Sequence, residues 1–265
     1  MFLQKMHFQE METEKLLGLK RMDHELKKDF DEVPVIKIVF WGASMAGKTM
    51  ALTIFKVLKT LENPDKIYSF LTLEDPTKRT LFFDRGVFGF GYNPLTGKDR
   101  FKAHIYTVPG QIRHITQREV VTSGTNGIIA MIDSQKAQYE ANIVALKELA
   151  KFIDKYGLKE LPFAICLNKM DLTAEERISS QEFSQLLVET EWAERMQDAH
   201  ARVIEMSCLD AKNDLVSLIK SGTIGKFRDD NGRLKKEGRP DSVKRVIMPI
   251  EMVLREVLTK SIAHM

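Results

Sequence analysis

"FWGASMAGKTMALTIF", residues Phe40 to Phe55, joins an apolar run to an amphipathic one through a loop of small residues. Gly42, Gly47, Lys48 and Thr49 have the spacing G-x-x-x-x-G-K-[ST], that of a phosphate-binding P-loop. The run before it, Val35 to Trp41 (VIKIVFW), is rich in β-branched and aromatic residues and reads as a buried strand. After it, Ala51, Leu52, Ile54, Phe55 and Leu58 recur at helical spacing. Strand, glycine loop and helix in that order separate the motif from a chance glycine-rich turn. In such a loop the backbone of Gly42, Ala43, Ser44, Met45, Ala46 and Gly47 closes around phosphate oxygens. The helix N-terminus adds unpaired N–H groups and partial positive charge. Lys48 then reaches the β- and γ-phosphates, and Thr49 ligates Mg²⁺.

The chain has 265 residues, 43% hydrophobic and 29% charged, which is the composition of a globular protein of one large domain or one domain with appendages. A net charge of only +3 argues against a nucleic-acid binder, which would carry a concentrated basic footprint. The two cysteines, Cys166 and Cys208, read as small buried side chains, in keeping with a reducing cytoplasm. No apolar run approaches the ~20 residues of a membrane span. The N-terminus is too charged for a secretory signal, and neither end carries a lipidation motif.

Residues 1–32 carry a helical stripe, Leu16, Leu19, Met22, Leu26 and Phe30, which Pro34 ends. Strands are expected at 35–41, 81–88, 101–108, 127–133, 162–168 and 202–207. Helices are expected at 48–60, about 113–123, 137–156 and 180–200, the last in one piece or two. The 81–88 and 101–108 strands read as an antiparallel pair; the rest alternates β and α. The fold class is therefore α/β, a mostly parallel six-stranded sheet with helices on both faces. The main domain spans 33–220. Residues 221–242 are polar and glycine-rich, and read as an exposed hairpin or mobile insertion. Residues 243–265 form a C-terminal element packed on the domain, its helix expected to start at Pro249.

"LNKMD", residues 167–171, ends a strand on the side where doubly wound sheets bind ligands. Asn168-Lys169-x-Asp171 matches the guanine-recognition motif of GTPases. Asp171 would accept bonds from N1–H and the 2-amino group of guanine, and Lys169 would lie along the base. Adenine offers neither donor, so a site built on those bonds discriminates roughly 10⁴-fold. Taken alone the tetrapeptide is also a strand-end turn; about 120 residues after the P-loop lysine it gains weight. "TVPGQ", residues 107–111, ends another strand. Either it is a Pro-Gly turn or it stands for Asp-x-x-Gly-Gln, with Gly110 bonding the γ-phosphate and Gln111 orienting the attacking water. Thr107 then occupies the place of the aspartate that holds Mg²⁺ through water, so the metal shell must differ or bind more weakly.

"KRTLFFD" (78–84), "HIYTVPGQ" (104–111), "DSQKAQYEAN" (133–142) and "CLNKMD" (166–171) together resemble the MglA-type branch of Ras-like small GTPases. These are prokaryotic polarity and motility switches with Arf-like features. The resemblance covers roughly residues 33–210 and implies the Ras-like P-loop GTPase fold, GTP/GDP and Mg²⁺. Threonine in place of the third-motif aspartate is usual in that branch. The resemblance makes Thr80 the switch I threonine, touching Mg²⁺ and the γ-phosphate. It makes Arg79 a finger supplied in cis, of a kind that contributes roughly 10³–10⁵ in rate, about 4–7 kcal/mol; a solvated loop arginine is the alternative. The fifth motif falls at Ser207, Cys208 and Leu209 and matches the usual pattern only at Ser207. Ser44 stands where many relatives have glycine and crowds the space of finger and glutamine, so slow intrinsic hydrolysis follows.

Two functions compete. One is a GTP-hydrolysing switch with a Roadblock-type activating partner. The other is a GTP-binding scaffold with little hydrolysis. An ATP-dependent kinase finds no motif to support it. For residues 1–32, permanent packing on the domain or on a second copy competes with an Arf-like helix freed to membranes with GTP. The protein is thus expected in the cytoplasm, or at the membrane periphery if the latter holds.

Overall fold

Strand β1 (Val35–Trp41) is apolar on both faces: Ile36, Ile38 and Phe40 enter one core layer, Val39 and Trp41 the other. That two-sided burial puts it at the centre of a sheet. The computed structural model describes residues 33–71, 83–95, 97–110, 115–198 and 203–263. The 1–32 stripe, Arg79, Thr80 and Gln111 lie outside the described residues. In chain order the elements are β1, α1 (Lys48–Glu62), β2 (Ile67–Leu71), β3 (Arg85–Tyr92), β4 (Asp99–Thr107), α2 (Ile115–Thr122) and β5 (Gly127–Asp133). They continue with α3 (Tyr139–Lys155), β6 (Phe163–Asn168), α4 (Ser180–Glu189), α5 (Trp192–Asp198), β7 (Val203–Glu205), α6 (Cys208–Lys220) and α7 (Asp241–Ala263). The sheet order is β2-β3-β4-β1-β5-β6-β7. From β4 to β7 all neighbours are parallel, and β2/β3 and β3/β4 are antiparallel, as expected for the second pair. Helices α1, α6 and α7 cover one face; α2 to α5 cover the other.

Among the described residues the sheet has seven strands, not six. The additional strand, β2, is a half-exposed edge with no alternation of burial to read. The strand expected at 81–88 runs instead over Arg85–Tyr92, through "GFGY". Glycine lets neighbours close in on this strand: a Cβ on Gly89 would lie 1.7 Å from the Asp99 carboxylate, and one on Gly86, near the strand's start, 2.4 Å from the Phe88 ring, while Gly91 takes φ 63°. The last helix starts at Asp241, eight residues before the expected Pro249, which lies inside it. A helix-interior proline costs about 3 kcal/mol. Here it is offset because Val243, Val246, Ile247, Ile250, Val253, Leu254 and Val257 are buried along one face, each contributing about 1.5–3 kcal/mol.

Residues 221–240 are mostly exposed and are anchored at a few buried points. Asp229 to Gly232 form a turn closed by an Arg228–Leu234 bridge, Leu234 is buried, and Arg239 pairs with Glu62 at the end of α1. Both tryptophans are buried and donate to successive carbonyls of α3, Trp41 to Ala145 (2.8 Å) and Trp192 to Leu146 (3.0 Å). Both cysteines are free and buried. Among the described residues no helix is long and apolar enough to cross a membrane.

Candidate functional site

The loop from Gly42 to Gly47 crosses the C-terminal edge of the sheet between β1 and α1. Two backbone positions need glycine. Gly42 has φ 151° and a Cβ there would lie 2.2 Å from the Met131 carbonyl; Gly47 has φ 104° and would meet the Asn168 amide at 2.1 Å. Met45 also takes a left-handed conformation, φ 61°, at an exposed position. The Lys48 ammonium is buried and donates to the carbonyls of Gly42 (2.9 Å) and Ala43 (2.6 Å), closing the loop from beneath.

Behind the loop stands the second motif. Asn168 is buried; its Nδ2 donates to Ala46 O (2.9 Å) and its Oδ1 accepts from Cys208 N–H (3.0 Å). One side chain therefore links the phosphate loop, the end of β6 and the start of α6. Lys169 adopts φ 69° and its ammonium is held by Asp133 (2.5 Å) and the Gln135 side-chain carbonyl (2.7 Å). Ser207, the N-cap of α6, accepts from Asp210 N–H (2.9 Å) and donates to Asp171 Oδ1 (2.6 Å). Cys208 has its thiol pushed up to about 12 by burial, with Asp171 adding to the effect, so it is inert at neutral pH. Lys48, Thr49, Gly110, Asn168, Asp171 and Leu209 line one cavity of about 710 Å³, the size of a small-molecule site.

In the first turn of α1, Thr49 Oγ donates to Asp84 Oδ2 (2.5 Å), and Thr107 Oγ donates to the same oxygen (2.7 Å). Asp84 N–H in turn donates to Thr107 Oγ (2.9 Å). Gly110 rests on the loop: a Cβ added to it would lie 2.2 Å from Ser44 Cα, so the position tolerates glycine alone.

No protein-family model matches the chain. It is 36% identical over 139 residues to the mutual gliding-motility protein MglA of Myxococcus xanthus, an alignment spanning 51% of this chain and 68% of that protein. The chain belongs to the MglA-like branch of the Ras-like small GTPases. An uncharacterised protein of Methanocaldococcus jannaschii is 32% identical over 81 residues, 31% of this chain and 47% of that one.

The MglA-like site contains residues that the sequence motifs did not announce. Asp84 is the chief one. It belongs to a quoted stretch, "RTLFFD", yet its place beside Thr49 follows from strand pairing, Arg85 opposite Tyr106, which sets Asp84 next to Thr107. Asp133 and Gln135 are others: within "DSQ" they fix the ammonium of Lys169. Hydrogen-bonding capacity alone marks them; their partner is distant in sequence.

Lys48 carries a pH signature. Burial, and then the Arg118 charge, lower its pKa to about 7, while Asp84 acts in the opposite sense. Above pH 7 the ligand-free folded protein therefore holds Lys48 largely neutral, whereas the unfolded chain stays protonated up to its ordinary 10.5. The stability of the ligand-free protein consequently rises with pH across that window. Phosphate groups favour the charged form. Binding at pH 8 should take up close to one proton, and affinity should fall as pH rises above 7. Calorimetry in buffers of different ionisation enthalpy reads this directly, and a binding heat independent of buffer would refute it.

Proposed function

We propose that the chain is a GTP/GDP molecular switch that hydrolyses GTP to GDP and phosphate with Mg²⁺. The observation that supports it most is one cavity lined both by Lys48 and Thr49 and by Asp171, which Ser207 orients. That arrangement suits a purine triphosphate with guanine at the Asp171 end. For Mg²⁺, the donor set is all oxygen, the Thr49 hydroxyl backed by the Asp84 carboxylate, which suits a hard cation. Asp84 then takes the role expected of the residue at 107. When bound, the ion neutralises phosphate charge and orients the triphosphate. Lys48 binds the β- and γ-phosphates, Gly110 N–H meets the γ-phosphate, and Asn168 keeps loop and base pocket in register. Water attacks the γ-phosphorus, the bond to the β–γ bridging oxygen breaks, and GDP and phosphate leave. From the family resemblance, Gln111 orients that water, Arg79 stabilises the developing charge and Thr80 completes switch I.

The biological role we assign is polarity, motility or membrane-associated regulation in the cytoplasm, on the strength of the relative named for gliding motility. A Roadblock-type activator and a peripheral membrane contact through 1–32 complete the proposal. A scaffold with little hydrolysis is the second reading, favoured by the close approach of Gly110 to Ser44. Binding of fluorescent GTP, GDP and ATP tests nucleotide choice, and equal ATP and GTP affinities would refute it. Single-turnover hydrolysis with Mg²⁺, with and without an activator, then separates switch from scaffold.

The metal assignment has its own test. Asp84→Ala should weaken Mg²⁺ binding to the nucleotide complex about 10–100-fold, as loss of an outer-shell partner does, and speed GDP release accordingly. Moving the carboxylate to its usual place with Asp84→Ala/Thr107→Asp should restore part of it. Mg²⁺ titrations of GDP release check both, and an unchanged metal dependence in Asp84→Ala would remove Asp84 from the role.

A further inference from the structure

We infer that Arg118 is a positioning residue that aims the Gly110 N–H at the terminal phosphate and ties that loop to α3. Arginine is among the residues least often fully buried, yet Arg118, in the middle of α2, is 1% exposed. Its guanidinium is used on three sides. Nε donates to Pro109 O (2.7 Å), Nη2 donates to Gly110 O (2.6 Å), and Nη1 pairs with the Glu148 carboxylate of α3. Its carbon lies 5.4 Å from the centre of the Trp41 ring, and Trp41 is itself bonded to α3.

The consequence follows from peptide geometry. Pro109 C=O and Gly110 N–H belong to one planar trans unit and point in opposite directions. Holding the carbonyl therefore turns the N–H away from α2. The second bond, to Gly110 O, fixes the next peptide plane and removes the remaining freedom. The loop held in this way is the one that lies against Ser44 of the phosphate loop. A planar fork can hold two carbonyls and a carboxylate at once; a lysine ammonium on a flexible stem cannot do so in the same geometry. Glu148 supplies the counter-charge without which a buried guanidinium would be strongly disfavoured.

This inference rests on the switch reading, in which Gly110 contacts the γ-phosphate. GDP lacks that group, so Arg118 should matter to GTP and hardly to GDP. A merely structural ion pair would affect both nucleotides alike. The test uses the full chain. Affinities for GDP and for a slowly hydrolysed GTP analogue are measured by fluorescence for wild type, Arg118→Lys and Glu148→Gln, with thermal unfolding in parallel. Arg118→Lys should lose roughly tenfold or more in analogue affinity relative to GDP, the scale of a hydrogen bond to a charged group. Glu148→Gln keeps an acceptor for Nη1 and both carbonyl bonds, so it should lower the melting temperature and leave the ratio within about twofold. If Arg118→Lys does not fold, Arg118→Gln/Glu148→Leu removes both charges together, and the same loss of ratio is expected. A folded variant of either kind whose analogue-to-GDP ratio equals that of wild type overturns the role of Arg118. Wild type that binds no guanine nucleotide overturns the switch reading instead, so the two failures are distinct.

Discussion

Asp171→Asn is expected to invert base preference, losing GTP and gaining xanthosine triphosphate. The reason lies in how the carboxylate is held. Ser207 Oγ accepts from Asp210 N–H, so its own proton goes to Asp171 Oδ1. In the variant that proton still seeks an oxygen. The carboxamide carbonyl therefore stays on Ser207 and its NH₂ faces the base. An NH₂ repels the N1–H and 2-amino group of guanine but matches the 2-oxygen of xanthine. Sites built on such paired groups discriminate roughly 10⁴-fold, so a change of that order in the ratio of the two affinities is expected. Competition binding checks it. Retained GTP preference would mean that Asp171 does not read the base.

Gly47→Ala should also weaken binding substantially, although it adds one methyl group. At φ 104° an L-residue is strained, at a cost of about 1–3 kcal/mol. The new Cβ would also lie 2.1 Å from Asn168 Nδ2, forcing that amide off Ala46 O, a further ~0.5–1.5 kcal/mol. Without phosphate the substituted loop can relax away from both, and holding phosphate requires the native conformation, so together these correspond to roughly 10–1,000-fold in nucleotide affinity. Gly124→Ala is the comparison: φ is 67° and nothing lies within 4 Å of the added atom. It should show strain in thermal stability and none of the binding loss. Equal binding by the two variants would show that the Asn168 link does not hold the loop.

The parts of this architecture that could be read from the chain are those written locally. The P-loop, the run of buried strands and the Asn-Lys-x-Asp turn each declare themselves within a few residues, because glycine conformations, strand apolarity and the left-handed turn at Lys169 depend on near neighbours. What could not be read depends on pairing between distant segments. Asp84 reaches Thr49 only through the β3–β4 register. The glycines of "GFGY" count against a strand until the Asp99 carboxylate is seen to fill the space beside Gly89. Pro249 looks like a helix start, but the buried face on both sides of it carries the helix through. Nothing local singles out Arg118, since its four contacts lie on β1, α3 and the loop before α2.

The two tryptophans give the chain an optical readout of its own. Trp41 directly precedes Gly42 and faces the Arg118 guanidinium, so its emission senses the electric field of the group that holds Gly110. Trp192 sits edge-on to Phe163 at 5.2 Å, beside the start of β6 and away from the phosphate loop. One indole thus reports on the site, and the other contributes a background that its replacement removes. In a Trp192→Phe background, nucleotide exchange can be followed by intrinsic fluorescence with unlabelled ligands, and the amplitude measures how far the charge above Trp41 moves.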